Sequence, residues 1–381
     1  MRRKWEQIAG TSLFLAALIA TAAFFATVFE ARPHEGARGA AGVADRAAME
    51  AALLPEAVQA RVRQILDCGS RAPGQKGLDR AAAIIEQAYR DAGLECLDQD
   101  VEFAAALTEG GHGTLRVGEA DAFAALPVWP LQPNHAQPVV TPEGGAVGEL
   151  FAVTDASLGA ALRFDDKIAV LDLAKPVPGA YGINPAPYAE HGFQAIVYTH
   201  ADGLDKISTE DLRKMSFPLL PANVVRVVAE SAVLERLGQR ATLEAKATWR
   251  NVRTRNLVGV MQAPGGADAA LVIPVYYDAS SLIPDRAPGA HAALQTAIQL
   301  QLLEGLKAGR AALRRDVVFV AAAGGGAAQI GLARLLSTVG RSGGAAAEGE
   351  RIAGLIHIGT RGAQPPERPR PDIAAKTEWR P

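Results

Sequence analysis

Cysteine is nearly missing, a surplus of either charge is missing, and long apolar runs are confined to one place. Cys68 and Cys96 are the only cysteines in 381 residues, which excludes a disulfide-stapled framework or a thiolate zinc cage, since each uses about four or more. The 39 Lys and Arg residues nearly cancel the 41 Asp and Glu residues, for a net charge of −2. A nucleic-acid binder needs a basic surplus to displace condensed counterions, so no nucleic-acid partner is expected. With 49% hydrophobic residues the chain is also unlike a disordered protein, which combines low hydrophobicity with high net charge. What is present is enough apolar material for two or three ordinary domains. The abundance of Ala, Gly and Arg is read as a compositional bias of the source and not as a fold signal.

The one long apolar run is at the N-terminus. Residues 8–29 hold no charged side chain and reach the roughly 20 residues that a bilayer-spanning helix needs. Arg2, Arg3 and Lys4 precede the run and Glu30 follows it, so the basic flank is expected in the cytoplasm and the rest on the exported side, periplasmic if the source is bacterial. A cleaved signal peptide competes with this reading. Its best cleavage site is Ala20-Thr21-Ala22, but Phe24 and Phe25 carry the apolar run past it, which favours an uncleaved anchor. Export permits a bridge between Cys68 and Cys96, and two buried free thiols are the plainer alternative.

The exported part divides by texture. Residues 30–47 are rich in Gly, Ala and Arg without apolar periodicity, as in a flexible stalk. Pro55 opens a helix with Val58, Val62, Ile65 and Leu66 on one face and Gly69 at its end. A second helix follows Gly77, with Ala81, Ile84, Ile85, Ala88 and Tyr89 at helical spacing and Gly93 as its stop. Leu94 to Phe103 reads as a strand. Short strand-like runs then alternate with Gly- and Pro-rich turns (Val147 to Val153, Lys167 to Leu173, Ala195 to Tyr198, Ala222 to Val228, Ala241 to Thr248). After Arg255 the apolar strands Leu257 to Met261, Leu271 to Tyr277, Val317 to Ala323 and Ile352 to Ile358 surround a helix from Ala290 to Leu306. Runs apolar on both faces imply a sheet covered on both sides. The expected organisation is a cytoplasmic tail (1–7), an anchor (8–29), a stalk (30–47), an α/β domain in two pieces (48–112 and 251–364), a β-rich insert (113–250) and a flexible tail (365–381). The sheet is expected to be mixed and mostly parallel, with helices on both faces.

Particular words in this order resemble the exported two-zinc aminopeptidase family that also contains glutamate carboxypeptidase. Gly69-Ser70-Arg71-Ala72-Pro73-Gly74, between the first two helices, is similar to that family's N-terminal turn. The insert is similar to its protease-associated domain at Gly148-Glu149-Leu150-Phe151, Asp165-Asp166-Lys167-Ile168-Ala169-Val170 and the stretch from Tyr188 to Val197. Arg255-Asn256-Leu257-Val258-Gly259 resembles the strand by which the chain re-enters the peptidase domain.

The resemblance implies where a zinc pair would be held, and those positions are degenerate. The family's His-x-Asp word reads Tyr276-Tyr277-Asp278, so the outer Asp is kept and the ligand is Tyr276. The Gly-Ala-Asn-Asp word with the bridging carboxylate reads Gly289-Ala290-His291-Ala292. The Gly-Glu-Glu word that carries the general base and a ligand reads Gly324-Gly325-Gly326, with a later glycine kept at Gly331. The Asn-x-Asp word reads His357-Ile358-Gly359, and the last ligand, a His, would lie beyond Pro381. A co-catalytic zinc pair needs a bridging carboxylate, terminal His or carboxylate ligands and a proton-accepting Glu. The implied protein is a membrane-anchored, catalytically inactive peptidase-like subunit with no cofactor, a protein partner and a scaffold role, as in the non-catalytic relatives transferrin receptor and nicastrin. The alternative is a zinc-dependent hydrolase with a metal site rebuilt from Asp278, His291 and His357; the plainer reading makes these a turn cap, a helix start and a strand end. Ser280 or Ser281 with His291 and Asp278 lacks a nucleophile-elbow word, and the glycine run lacks the Lys-Ser or Lys-Thr of a phosphate loop. His112, His135, His191 and His200 read as surface residues. Tyr181, Tyr188 and Trp129 read as filling of a small β core, with a partner-binding patch as the other option.

Overall fold

A computed structural model of the chain describes residues 50–118, 123–132, 138–154, 163–175, 185–207, 224–265, 269–341, 351–356 and 358. The expected anchor at 8–29, the stalk, both tails, His135, Tyr181, His357 and Gly359 lie outside the described residues. Among the described residues no helix is long and apolar enough to cross a membrane.

Helix α1 (Pro55–Leu66) starts with proline in the first turn, where its missing N–H costs nothing. Helix α2 (Lys76–Asp91) buries Leu78, Ala81, Ala82, Ile85, Ala88 and Tyr89 along one face. Strand β1 (Glu95–Thr108) is longer than the apolar pattern suggests, because β9 (Ala247–Met261) pairs with it antiparallel from Glu95↔Val260 to Thr108↔Ala247. The α/β sheet has the order β1-β9-β11-β10-β12, with β10 at Ala269–Tyr276, β11 at Asp316–Ala322 and β12 at Arg351–Leu355. Two of its four pairings are parallel and two antiparallel. It is therefore mixed as expected, but not mostly parallel, since the re-entry strand β9 runs against both of its neighbours.

Helices cover both faces. On one, α2 and α4 (Ala290–Ala308) bury Leu257, Ile273, Val275, Phe319 and Ala321 together with Ile85, Tyr89, Leu300 and Leu303. On the other, Leu335 of α5 (Ile330–Arg341) packs on Val258, Val272, Val320 and Ala322. The cysteines belong to the first of these cores. Cys68 is buried with its thiol pointed at the Gln64 carbonyl, Cys96 is partly buried, and both are free thiols. The Cys68 to Cys96 bridge that export allowed is thus not formed, each thiol being taken up in apolar packing.

The insert is a closed seven-stranded barrel of order β2-β3-β7-β6-β5-β4-β8. Its strands are β2 (Gly113–Val117), β3 (Ala124–Pro130), β4 (Ala146–Ala152), β5 (Lys167–Asp172), β6 (Ala195–Thr199), β7 (Val225–Ala229) and β8 (Arg240–Glu244), with a short helix α3 (Ala186–Glu190) before β6. Strands β4 to β7 run parallel and the remaining pairings are antiparallel. The barrel closes at Glu244, and residues 247–250 already belong to the β1/β9 ribbon, so the insert ends slightly before the expected residue 250. Strand β3 escapes a pattern reading because Pro127 and Pro130 interrupt it.

Candidate functional site

Three of the words that the resemblance singles out lie at the edge formed by the carboxyl ends of β10 and β11 and the start of helix α4. These strands are parallel neighbours with Tyr276 opposite Ala322, which brings Tyr276-Tyr277-Asp278 beside the turn Ala323-Gly324-Gly325-Gly326. Asp278 is 3% exposed. Its Oδ2 accepts hydrogen bonds from the Gly324 N–H at 3.0 Å and the Gly325 N–H at 3.1 Å, and its Oδ1 accepts from the Gly325 N–H at 3.2 Å. Burial pushes the Asp278 carboxyl up from the ordinary carboxylate range, opposed by these backbone donors and by the nearby Arg71 guanidinium. The carboxylate is occupied in holding the glycine turn.

Tyr276 and Gly325 are complementary. A Cβ at position 325 would meet Tyr276 Cγ at 2.9 Å and Cδ1 at 3.0 Å, so the ring occupies the space that a side chain there would need. The Tyr276 hydroxyl is buried and has no hydrogen-bond partner among the described residues. Burial, with the Asp278 charge beside it, raises the phenol above its ordinary value, which makes a metal-binding phenolate harder to form. At position 326 a Cβ would lie 2.7 Å from Ser280 Oγ. Ala328 and Gln329 follow with φ of 53° and 59°, a left-handed pair of non-glycine residues that marks backbone strain beyond the glycines.

Helix α4 supplies the other positions. His291 is exposed in its first turn, and Ala292 presents only a methyl group where a bridging carboxylate would stand. His357 and Gly359 lie outside the described residues, so the third member of the rebuilt-site triad is not placed. Among the described residues no three His, Cys, Asp or Glu side chains are grouped so as to hold a metal ion. The described donors do not fit a two-zinc centre: one carboxylate is spent on backbone N–H groups, and glycine, alanine and tyrosine stand where the resemblance would place ligands and base. Ser280 is exposed. The glycine turn wraps a protein carboxylate and not a phosphate.

Sequence reasoning missed Arg71. It is fully buried, and its guanidinium donates to the carbonyls of Tyr277, Pro288 (3.0 and 2.8 Å) and Gly289 (2.7 Å). Its backbone adds Arg71 N–H to the Ala287 carbonyl and Ala279 N–H to the Arg71 carbonyl, both at 2.9 Å. One residue therefore closes both ends of the loop between β10 and α4. Desolvation lowers the guanidinium pKa to about 10, which still leaves it charged at neutral pH. Asn256, also fully buried, accepts from the Ala323 N–H at 3.1 Å and donates to the Gly331 carbonyl and Gln99 Oε1, each at 2.8 Å. It thereby fixes where β11 ends and α5 begins. The only sequence signal for either residue is its presence inside one of the matched words. Of the aromatic residues in the insert, Tyr188 is fully buried in the barrel's outer core, while Trp129 is partly buried beneath the Arg286 guanidinium, 4.4 Å from the ring centre.

No protein-family model matches the chain, and no curated protein matches it. Solved structures do. A zinc aminopeptidase from Bacillus subtilis is 18% identical, the match covering 70% of this chain and 60% of that one with a TM-score of 0.45. A peptidase precursor from Shewanella amazonensis is 17% identical over 74% of this chain and 68% of its own, with a TM-score of 0.46. An aminopeptidase from an Aneurinibacillus species is 16% identical over 79% and 69%, with a TM-score of 0.39. The match to this chain thus spans under two thirds of the Bacillus enzyme's length.

Proposed function

We propose that this chain is a membrane-anchored, catalytically inactive relative of the two-zinc aminopeptidases, acting as a binding or assembly subunit for a protein partner on the exported side of the membrane. The observation that carries the reading is the use made of Asp278. Both of its oxygens accept backbone N–H groups from the turn whose glycines stand at the expected ligand and base positions. A metal bound through Asp278, as in the rebuilt site, would have to pull the carboxylate off the turn and leave the buried Gly324 N–H and the partly buried Gly325 N–H unpaired, at roughly 1–3 kcal/mol for a buried group. It would gain in return no glutamate to accept a proton from attacking water.

The test is metal analysis together with peptidase assay on the purified full-length chain in detergent. After incubation with zinc and desalting, we expect less than stoichiometric metal and no hydrolysis of aminoacyl-nitroanilides, with a partner protein co-purifying from solubilised membranes. One or two zinc ions per chain, with aminopeptidase activity abolished by Asp278→Ala, would overturn the proposal in favour of a hydrolase with a rebuilt site.

A further inference from the structure

The barrel interior is apolar except at one rim. Ile168 and Val170 of β5, Ala195 and Val197 of β6, and Val225 and Val227 of β7 form the inner cluster, while Ala169, Leu171, Ile196 and Tyr198 face the outer one. The alternation of side chains along a strand therefore turns Asp172, at the end of β5, and Thr199, at the end of β6, inward. They are register partners on adjacent parallel strands, at the carboxyl ends where parallel strands commonly place their ligands.

Neither side chain is satisfied there. Thr199 is fully buried and its hydroxyl has no hydrogen-bond partner among the described residues. The Asp172 side chain is 7% exposed; its Oδ1 accepts the N–H groups of Ala174 at 3.1 Å and Ala201 at 3.0 Å, which fixes the carboxylate in place. Its Oδ2 is buried and accepts no hydrogen bond. Buried polar atoms without a hydrogen bond are rare in native proteins. The charge that answers Oδ2 is the Lys175 ammonium, 3.4 Å away, at the end of a side chain that is 76% exposed. An ammonium is already drawn to this spot, on a tether that water can take back.

We propose that this rim binds a primary ammonium group presented by a polypeptide partner, as a lysine side chain or a free amino terminus, which displaces Lys175 and donates to Asp172 Oδ2 and Thr199 Oγ1. Charge and donor count select this ligand over a divalent cation. One carboxylate neutralises one ammonium, whereas calcium would keep a net positive charge here and seeks about 6–8 oxygen ligands. An ammonium brings three donors and no acceptor, the complement of two oxygens with unused lone pairs. The rim is separate from the β10/β11 edge, so this site stands whichever way the zinc assay falls.

The test measures binding of two probes to the full-length chain by isothermal titration: Nα-acetyl-lysine methylamide for the side-chain source and glycinamide for the amino-terminal one. Lys175→Met should tighten binding of the preferred probe about tenfold by removing its tethered competitor, and Asp172→Asn should abolish binding. Thr199→Val, which alters no charge, should weaken it by roughly threefold or more. Circular dichroism melts would show that each variant is folded. Equal affinity of wild type, Lys175→Met and Asp172→Asn, or no binding to any of them, would mean that the oxygens hold only water and would overturn the proposal. So would displacement of the probes by calcium at micromolar concentration.

Discussion

At the scale of single residues, the edge at the carboxyl ends of β10 and β11 is closely packed. Gly325 lacks the carboxylate that the resemblance asks for, and the Tyr276 ring fills the room that carboxylate's side chain would need. Gly325→Glu should therefore destabilise the protein by about 1–3 kcal/mol through overpacking, with added repulsion from Asp278. In the Tyr276→His background the same substitution should cost less, because the smaller ring makes room. Urea unfolding of the two single variants and the double variant would give a coupling of about 1 kcal/mol or more; additivity within about 0.5 kcal/mol would mean that ring and side chain do not compete. The candidate positions Tyr276, Ala292, Gly325 and Gly326 could be named from the sequence, since that needs only the order of the words. Their packing was not legible there, because it depends on β10 and β11 being parallel neighbours in one register. Arg71 was illegible for the same reason: its acceptors lie more than 200 positions away.

At the scale of elements, the loop from Ala279 to Gly289 does most of the joining. Arg71 closes its base, the Ser70 hydroxyl donates to the Pro284 carbonyl at 2.6 Å, and Ile283 is buried in the barrel's outer cluster. The Gln132 N–H donates to the Leu282 carbonyl at 2.7 Å, and Arg286 pairs with Glu230 while lying over Trp129. Helices α1, α2 and α4 were readable from the sequence, whereas this loop and β3 carried no periodic signal; α5 was overlooked although Leu332, Leu335, Leu336 and Val339 recur at helical spacing. The loop's half-buried Asp285 accepts from Gln75 Nε2 at 2.8 Å and from the Thr108 hydroxyl. Burial raises the Asp285 carboxyl above its usual range, with Thr108 and then Gln75 pulling it back. A carboxyl raised in the folded state contributes its full stability below the unfolded value, near pH 4, and loses it as the pH climbs through the raised value. Asp285→Asn has no such titration. Its melting temperature relative to wild type should rise between about pH 4 and about pH 7; a relative fall over that range would mean that the hydrogen bonds outweigh burial.

At the scale of the whole molecule, the barrel and the α/β sheet share one continuous ribbon. Strands β1 and β9 pair from Glu95↔Val260 to Thr108↔Ala247, but β11 uses only Leu257 to Met261 of β9. The remaining paired length runs from the sheet to the barrel, so the insert hangs on two long strands as well as on the pinned loop. The binding subunit proposed above would need to be held where its partner is, and we propose that residues 8–29 would supply the means. Twenty-two residues without a charge satisfy the length of a bilayer span, and in that case the cluster Arg2, Arg3 and Lys4 ahead of Glu30 would set the orientation with the bulk of the chain exported. Removal of a signal peptide after Ala22 would leave only Ala23 to Phe29 of the run, too short to span. The two outcomes therefore differ in mass and in partition. The native protein should keep its basic N-terminal segment by intact-mass measurement, stay with membranes through an alkaline carbonate wash and need detergent for release. A variant lacking residues 2–30 should lose that membrane association, while a mature native chain beginning at Ala23 and soluble in carbonate would refute the anchor.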